Sequence, residues 1–372
     1  MRYYVVFGNN GAITRGVSVD LMAERATDGW GGADTLIGIE RVTATSLNDT
    51  LIGDNVSNRL NGLGGNDSVD GGLGSDWLEF TNGAATSGAT VNLTTGTASD
   101  GAGGIDSFTS VENVIGGNFA DHLTGIAQFG RTTSRLRGGS GNDTLIGIDG
   151  EFVIADYTDQ TIGLSVNLAS GSVNDGLGGI DSLVNIRGAF MYRNYADTII
   201  GSAGNDWLAP SGGDDTIDGG EGLDILGYDG SPSGGVSVNL AAGTASDGDG
   251  GTDFFTSIEG VAVSYSNDTV IGDGGNNIVA LGAGADYADA AGGQDTISAS
   301  LGSSPYTQVY TTNEAGDQLP YTGVTIDLAA GRMVGGDGAT DTILNFEAAI
   351  GSTMHDSILG SNAADLLFGA EG

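Results

Sequence analysis

Large apolar residues recur along this chain at nine-residue intervals, each set between two neighbours in a short strand-like triplet and followed by a glycine-rich stretch. From Ala44 the chain divides without gaps into "ATSLNDTLI", "GDNVSNRLN", "GLGGNDSVD" and "GGLGSDWLE", with Leu51, Leu60, Val69 and Leu78 at position eight. A second run, "YRNYADTII", "GSAGNDWLA", "PSGGDDTID" and "GGEGLDILG", starts at Tyr192, and a third, "VSYSNDTVI", "GDGGNNIVA", "LGAGADYAD" and "AAGGQDTIS", at Val263. Isolated copies stand at Gly138, "GGSGNDTLI", and from Gly351, "GSTMHDSIL" then "GSNAADLLF". Each triplet offers one inward side chain between two outward ones, which predicts a three-residue strand, and the six residues between triplets predict a tight turn. Two such half-coils close one winding of a flattened parallel roll with a thin aliphatic core. The pattern therefore predicts an all-β fold, a right-handed parallel β-roll or β-helix solenoid built from nonapeptides.

A second motif alternates with these runs: "GVSVDL" at Gly16, "GATVNL" at Gly88, "GLSVNL" at Gly163, "GVSVNL" at Gly235 and "GVTIDL" at Gly323. Four of the five lead to a turn of the type "DGAGGID": those at Asp28, Asp100, Asp175 and Asp247. The starts predict the end of a preceding module over 1–15, modules over 16–87, 88–162, 163–234 and 235–322, and a truncated fifth over 323–372, all in one continuous solenoid. The commonest module length is eight nonapeptides, so the intervening stretch is expected to continue the winding. Glu40, Glu112, Glu259 and Glu347 support this, lying nine residues before Asp49, Asp121, Asp268 and Asp356. Arg187 breaks the rule in the third module, and "GIAQFGRTTSRLR" from Gly125 inserts extra residues in the second. Both ends fall inside the pattern, so the sequence reads as a segment of a longer array.

Position six carries the chemistry. It is acidic at Asp49, Asp67, Asp76, Asp121, Asp143, Asp197, Asp206, Asp215, Asp224, Asp268, Asp286, Asp295, Asp356 and Asp365. In the predicted roll, aspartates two repeats apart share one rim, so Asp49 faces Asp67, Asp197 faces Asp215, Asp206 faces Asp224 and Asp268 faces Asp286. The formal net charge of -37 sharpens the difficulty, since such a chain repels itself when compact. A cation between the turns resolves it. Carboxylates mixed with turn carbonyls suit Ca²⁺, with its six to eight oxygen ligands. Zinc is disfavoured, because there is no cysteine and only His122 and His355 are present. The glycines, Gly62, Gly64, Gly71, Gly138 and Gly219 among them, permit the turn and direct carbonyls toward the candidate ions.

"GGLGSDWLE", "GGSGNDTLI" and "GGEGLDILG" fit the pattern G-G-x-G-x-D-x-U-x in full, and the chain resembles the RTX, or haemolysin-type, calcium-binding repeat family. The resemblance implies a β-roll with several Ca²⁺ ions held between adjacent turns by aspartates and turn carbonyls. It also implies a secreted bacterial protein, extracellular or on the cell surface, that folds on meeting external calcium. The spacers resemble those of long extracellular members. Asn58 and Asn277 depart from the pattern at position six, which weakens the sites shared with Asp76 and Asp295.

Other chemistry recedes. All 11 basic residues are arginine, which leaves no phosphate-loop lysine and no basic patch for nucleic acid. No apolar run is long enough for a membrane helix, and the first residues lack a charged segment leading into an apolar one. His122 and His355 occupy different register positions and read as surface residues; Trp30, Trp77 and Trp207 are scattered and read as strand packing rather than a glycan platform. Glu40 and its equivalents read equally as extra ligands or as solvated strand-end charges. No catalytic constellation recurs, so no enzyme activity is expected. Two functions remain: a structural repeat region of a secreted surface protein (adhesin stalk, S-layer or filament), or a non-catalytic module of a secreted protease, lipase or polysaccharide epimerase. Self-assembly and cell-surface or glycan contacts are the partner classes left beside calcium.

Overall fold

The computed structural model describes residues 3–6, 13–81, 85–126, 133–191, 194–228, 233–300, 310–312, 318–320, 323–352 and 354–370. Part of the insert from Gly125, the start of the second run at Tyr192 and most of 1–15 lie outside them. All regular elements among the described residues are strands. The chain divides into two compact units, one of Met1–Tyr157 with Gly171–Arg187 and one of Thr158–Ser170 with Gly188–Gly372.

In the first unit, one sheet stacks Tyr3–Val6, Ile39–Thr43, Arg59–Asn61, Trp77–Glu79, Asn113–Ile115, Ser134–Arg137 and Val153–Asp156, all parallel. The facing sheet stacks Ser18–Asp20, Thr50–Ile52, Ser68–Asp70 and Ile105–Thr109 in parallel, and then Thr90–Asn92, His122–Thr124, Thr144–Ile146 and Ile180–Val184. The second unit repeats the scheme, with Gly188–Phe190, Trp207–Ala209, Ile225–Gly227, Gly260–Ala262, Ile278–Ala280, Thr296–Ser298, Ala348–Ile350 and Leu366–Phe368 forming its parallel sheet. The parallel β-roll expected from the nine-residue period is the fold observed.

Period two within each triplet and parallel register across triplets together build the core. Val19 pairs with Leu51, Leu51 with Val69 and Val69 with Phe108, and each is at most 5% exposed. On the facing sheet Val42, Leu60, Leu78, Val114 and Leu136 stack the same way. Burying each such side chain contributes roughly 1.5–3 kcal/mol.

The spacer departs from simple winding. Its V-x-V-[ND]-L segment forms a strand parallel to the one after the spacer, Thr90–Asn92 on His122–Thr124, but not the one that stacks on the preceding coil: Thr90–Asn92 pairs antiparallel with Thr97–Ser99, which pairs antiparallel with Ile105–Thr109, and Ile105–Thr109 is the strand that stacks on Ser68–Asp70. The reversal has a local cause. Asn92 Oδ1 accepts the N–H of Thr95, the Asn92 carbonyl accepts that of Gly96, and Gly96 adopts φ +66°, a left-handed conformation that glycine enters without steric cost. Asn167, Asn239 and Asp327 cap the equivalent turns with Ser170, Ala242 and Ala330. The module length divisible by nine thus conceals an antiparallel flap, and the roll resumes on either side of it.

Candidate metal centre

The position-six aspartates stand at the ends of the turns, immediately before the strands, and line up as the eighteen-residue spacing predicts. Asp49 donates its N–H to Asp67 Oδ1 at 2.8 Å, Asp197 to Asp215 at 2.7 Å, Asp206 to Asp224 at 2.8 Å and Asp268 to Asp286 at 2.8 Å. Each carboxylate thereby pins the neighbouring coil through its backbone. Asp121 and Asp143 are linked likewise across a 22-residue separation, so the insert from Gly125 leaves the rim in register.

Several residues absent from the expected set join these columns. Asp106 Oδ1 accepts the N–H of Asp67, Asp181 that of Asp143, Asp253 that of Asp215 and Asp341 that of Asp286. The final aspartate of these four spacer turns therefore serves as the position-six residue of the next coil. The signal was present in "DGAGGID", whose G-x-G-G-x-D core mimics a repeat turn shifted by one glycine. On the other rim Glu112, Glu259 and Glu347 take the same role, accepting from Asp76, Asp224 and Asp295. They are rim acceptors, and Glu112 is buried, so the alternative of solvated strand-end charges fails there.

The second carboxylate oxygen divides twelve of the fourteen position-six aspartates, all but Asp67 and Asp197, into two groups. At Asp49 it accepts the N–H of Thr45, at Asp121 that of Gly117, at Asp356 that of Ser352 and at Asp365 that of Ser361. Asp206 is closed in the same way by the N–H of Ser202, and Asp268 Oδ2 accepts the hydroxyl of Ser264. At Asp76, Asp143, Asp215, Asp224, Asp286 and Asp295 the second oxygen, Oδ2, is buried and has no hydrogen-bond partner. Backbone conformation accounts for most of this split. Four residues before these open aspartates stand Gly72 (φ +94°), Gly139 (+93°), Ser211 (+73°), Gly220 (+99°) and Ala291 (+67°), all in the left-handed region; only Gly282, before Asp286, falls outside it. A left-handed residue there turns its N–H away from the carboxylate and leaves the oxygen bare.

A buried acceptor without a partner costs free energy, more so when charged. Burial pushes Asp67 and Asp76 up to about 8 and Asp143 up to about 7; neighbouring acids add to this and one backbone N–H opposes it. The coupled pair Asp215 and Asp253 is raised for the same reason, burial first. Among the described residues, no three side chains of the His, Asp and Glu type converge as a ready-made centre. A cation held here would draw on carboxylate oxygens in ones and twos and on turn carbonyls, the donor set that suits a hard ion such as Ca²⁺.

The glycines leave space for such a shell. A Cβ on Gly71 would fall on the Ser110 carbonyl and 2.8 Å from Asp76 Oδ2; one on Gly219 would meet the Ser257 carbonyl and lie 2.8 Å from Asp224 Oδ2. The Gly71 and Gly219 carbonyls in turn face Gly53 and Gly201 of the preceding coil. Gly62 and Gly138 lie against Oδ2 of Asp67 and Asp143, and a Cβ on Gly64 would stand 3.7 Å from Asp100 Oδ2. At the two departures from the pattern the amide satisfies its own turn: Asn58 accepts from the Asp54 N–H and donates Nδ2 to its carboxylate, and Asn277 does the same with Asp273.

The tryptophans behave as strand and turn residues. Trp77 lies beneath the guanidinium groups of Arg135 and Arg137, and Trp207 packs against Ile225, Ala262 and Ala280, while Trp30 is exposed.

A search of the curated proteins returns no match. The family described as RTX calcium-binding nonapeptide repeat matches in four copies, over residues 43–78, 133–151, 193–226 and 264–297. These contain the bare carboxylates of Asp76, Asp143, Asp215, Asp224, Asp286 and Asp295. Four segments of the chain thus match the model of the RTX calcium-binding nonapeptide repeat.

Proposed function

We propose that this chain is a calcium-binding structural repeat region of a secreted bacterial surface protein, such as an adhesin stalk, S-layer or extracellular filament component, without catalytic activity of its own. It folds when it meets Ca²⁺ outside the cell. The observation that carries this reading is the set of buried carboxylate oxygens with no partner inside the matched repeats. Asp76, Asp143, Asp215, Asp224, Asp286 and Asp295, with the turn carbonyls beside them, are the residues that would hold the ions. Calcium supplies charge compensation and oxygen-to-oxygen bridging between coils, and binding is linked to folding. One large apolar residue per nine cannot alone offset the entropy of ordering so glycine-rich a chain. Sites of roughly 10⁻⁴ to 10⁻³ M affinity, the extracellular range, keep the chain unfolded in the cell and folded outside. Calcium titration followed by circular dichroism, reversed with EDTA, is the test. A cooperative gain of β signal with Ca²⁺ and little with Mg²⁺ is expected; equal response to both, or none to either, overturns the reading.

A further inference from the structure

The spacer turns contain bare carboxylates of their own, outside every matched repeat. At Asp100, Oδ1 is occupied by the N–H groups of Ala102 and Gly104, and at Asp175 by those of Leu177 and Gly179. In both residues Oδ2 is buried with no partner, and the residues are 1% and 0% exposed. Each of these oxygens lies near a carbonyl of the preceding coil. A Cβ on Gly104 would fall on the Gly65 carbonyl and 2.6 Å from Asp100 Oδ2; one on Gly179 would fall on the Gly141 carbonyl and 2.7 Å from Asp175 Oδ2. The turns are held to that coil by Ile105 and Ile180, which donate their N–H groups to Asn66 and Asn142.

We propose that the turns headed by Asp100 and Asp175 each hold an additional Ca²⁺ ion, bound by the bare Oδ2 of the head aspartate and the carbonyl of Gly65 or Gly141, with the rim aspartate Asp67 or Asp143 facing it. The head aspartate is a ligand that the nine-residue repeat lacks. It caps its own turn with one oxygen and offers the other to the preceding coil, so the ion joins spacer to repeat. A related turn shows what closes such a site: Asp247 Oδ2 accepts the N–H of Gly213 at 2.9 Å and is satisfied without a cation.

The inference rests on the calcium reading above and is tested apart from it by counting ions. Asp100→Asn with Asp175→Asn keeps the Oδ1 cap and turns an amide toward the Gly65 and Gly141 carbonyls, so the roll is retained while both ligands are lost. The full chain is dialysed against saturating ⁴⁵Ca²⁺ and its bound ions counted, with circular dichroism on the same samples. The double variant is expected to bind two ions fewer than the wild type while keeping its β signal. If the double variant does not fold, each single variant is read alone and is expected to lose one ion. An unchanged ion count in folded variants overturns the spacer sites and leaves the repeat sites standing; a wild-type chain that binds no calcium overturns both.

Discussion

Removing Ca²⁺ with EDTA at pH 7.5 leaves each rim carboxylate either to be buried as an ion or to take up a proton that the unfolded chain does not hold. Asp143 rises from 3.8 to about 7 within the fold, and at about 1.4 kcal/mol per pKa unit its ionised form opposes folding by on the order of 4 kcal/mol. Asp67 and Asp76, raised to about 8, stay largely protonated at that pH, and taking up the proton opposes folding by on the order of 5 kcal/mol each. Any two of these match the whole stability of an ordinary domain, about 5–15 kcal/mol, so the metal-free fold is expected to be lost at neutral pH. The folded state binds more protons than the unfolded chain between pH 3.8 and about 8. Metal-free stability is therefore greatest below 3.8 and disappears as pH rises through 7 to 8. The calcium-bound form runs the other way, because its ligands must be deprotonated, and its calcium midpoint rises as pH falls. Far-ultraviolet circular dichroism in EDTA at pH 7.5 and pH 5.0, beside calcium titrations at both, reads the two effects. A chelated chain that melts at the same temperature at both pH values, with its β signal intact, would refute the reasoning.

Other outcomes follow from single positions. Asn58→Asp exchanges the amide that closes its turn for a charge facing Asp54, and is expected to cost the metal-free fold about 1–3 kcal/mol, measured as the urea midpoint in EDTA at pH 5. Leu208→Ala empties a fully buried core position and should lower stability in saturating Ca²⁺ by about 2–5 kcal/mol by urea unfolding, with the ion count unchanged. Tyr228→Phe removes the hydroxyl that donates to Asp253 Oδ2 at 2.6 Å; thermal melts in Ca²⁺ should show a loss of about 1–3 kcal/mol, and an unchanged melt would show that the bond is dispensable.

Much of this architecture was legible in the residues. The period of nine specified strand, turn and inward side chain, and spacing by eighteen placed Asp49 against Asp67 and Asp268 against Asp286, because parallel stacking converts a sequence interval directly into a distance. The sequence was less informative where one residue type has two uses. All fourteen position-six aspartates look alike on paper, yet Asp49 and Asp356 close their own turns while Asp76 and Asp143 do not. The difference lies in a backbone angle four residues earlier, which Gly72 and Gly139 announce but Ser211 and Ala291 do not. The spacer was obscured for a similar reason: its length is a multiple of nine, and the V-x-V-N-L segment is a strand in either topology. Only the cap of Asn92 on Thr95, followed by Gly96, distinguishes a reversal from another coil.

The rim bonds join residues 18 apart within a run but 39 apart at Asp67 and Asp106, 38 at Asp143 and Asp181, and 55 at Asp286 and Asp341, with the same donor and acceptor each time. Stacking therefore measures height along the roll and is blind to how much chain runs between two levels, even where that chain lays down other strands of the roll. The interval from Asp286 to Asp341 keeps its rim bond although it is longer than that from Asp67 to Asp106, so added length there is expected to be tolerated.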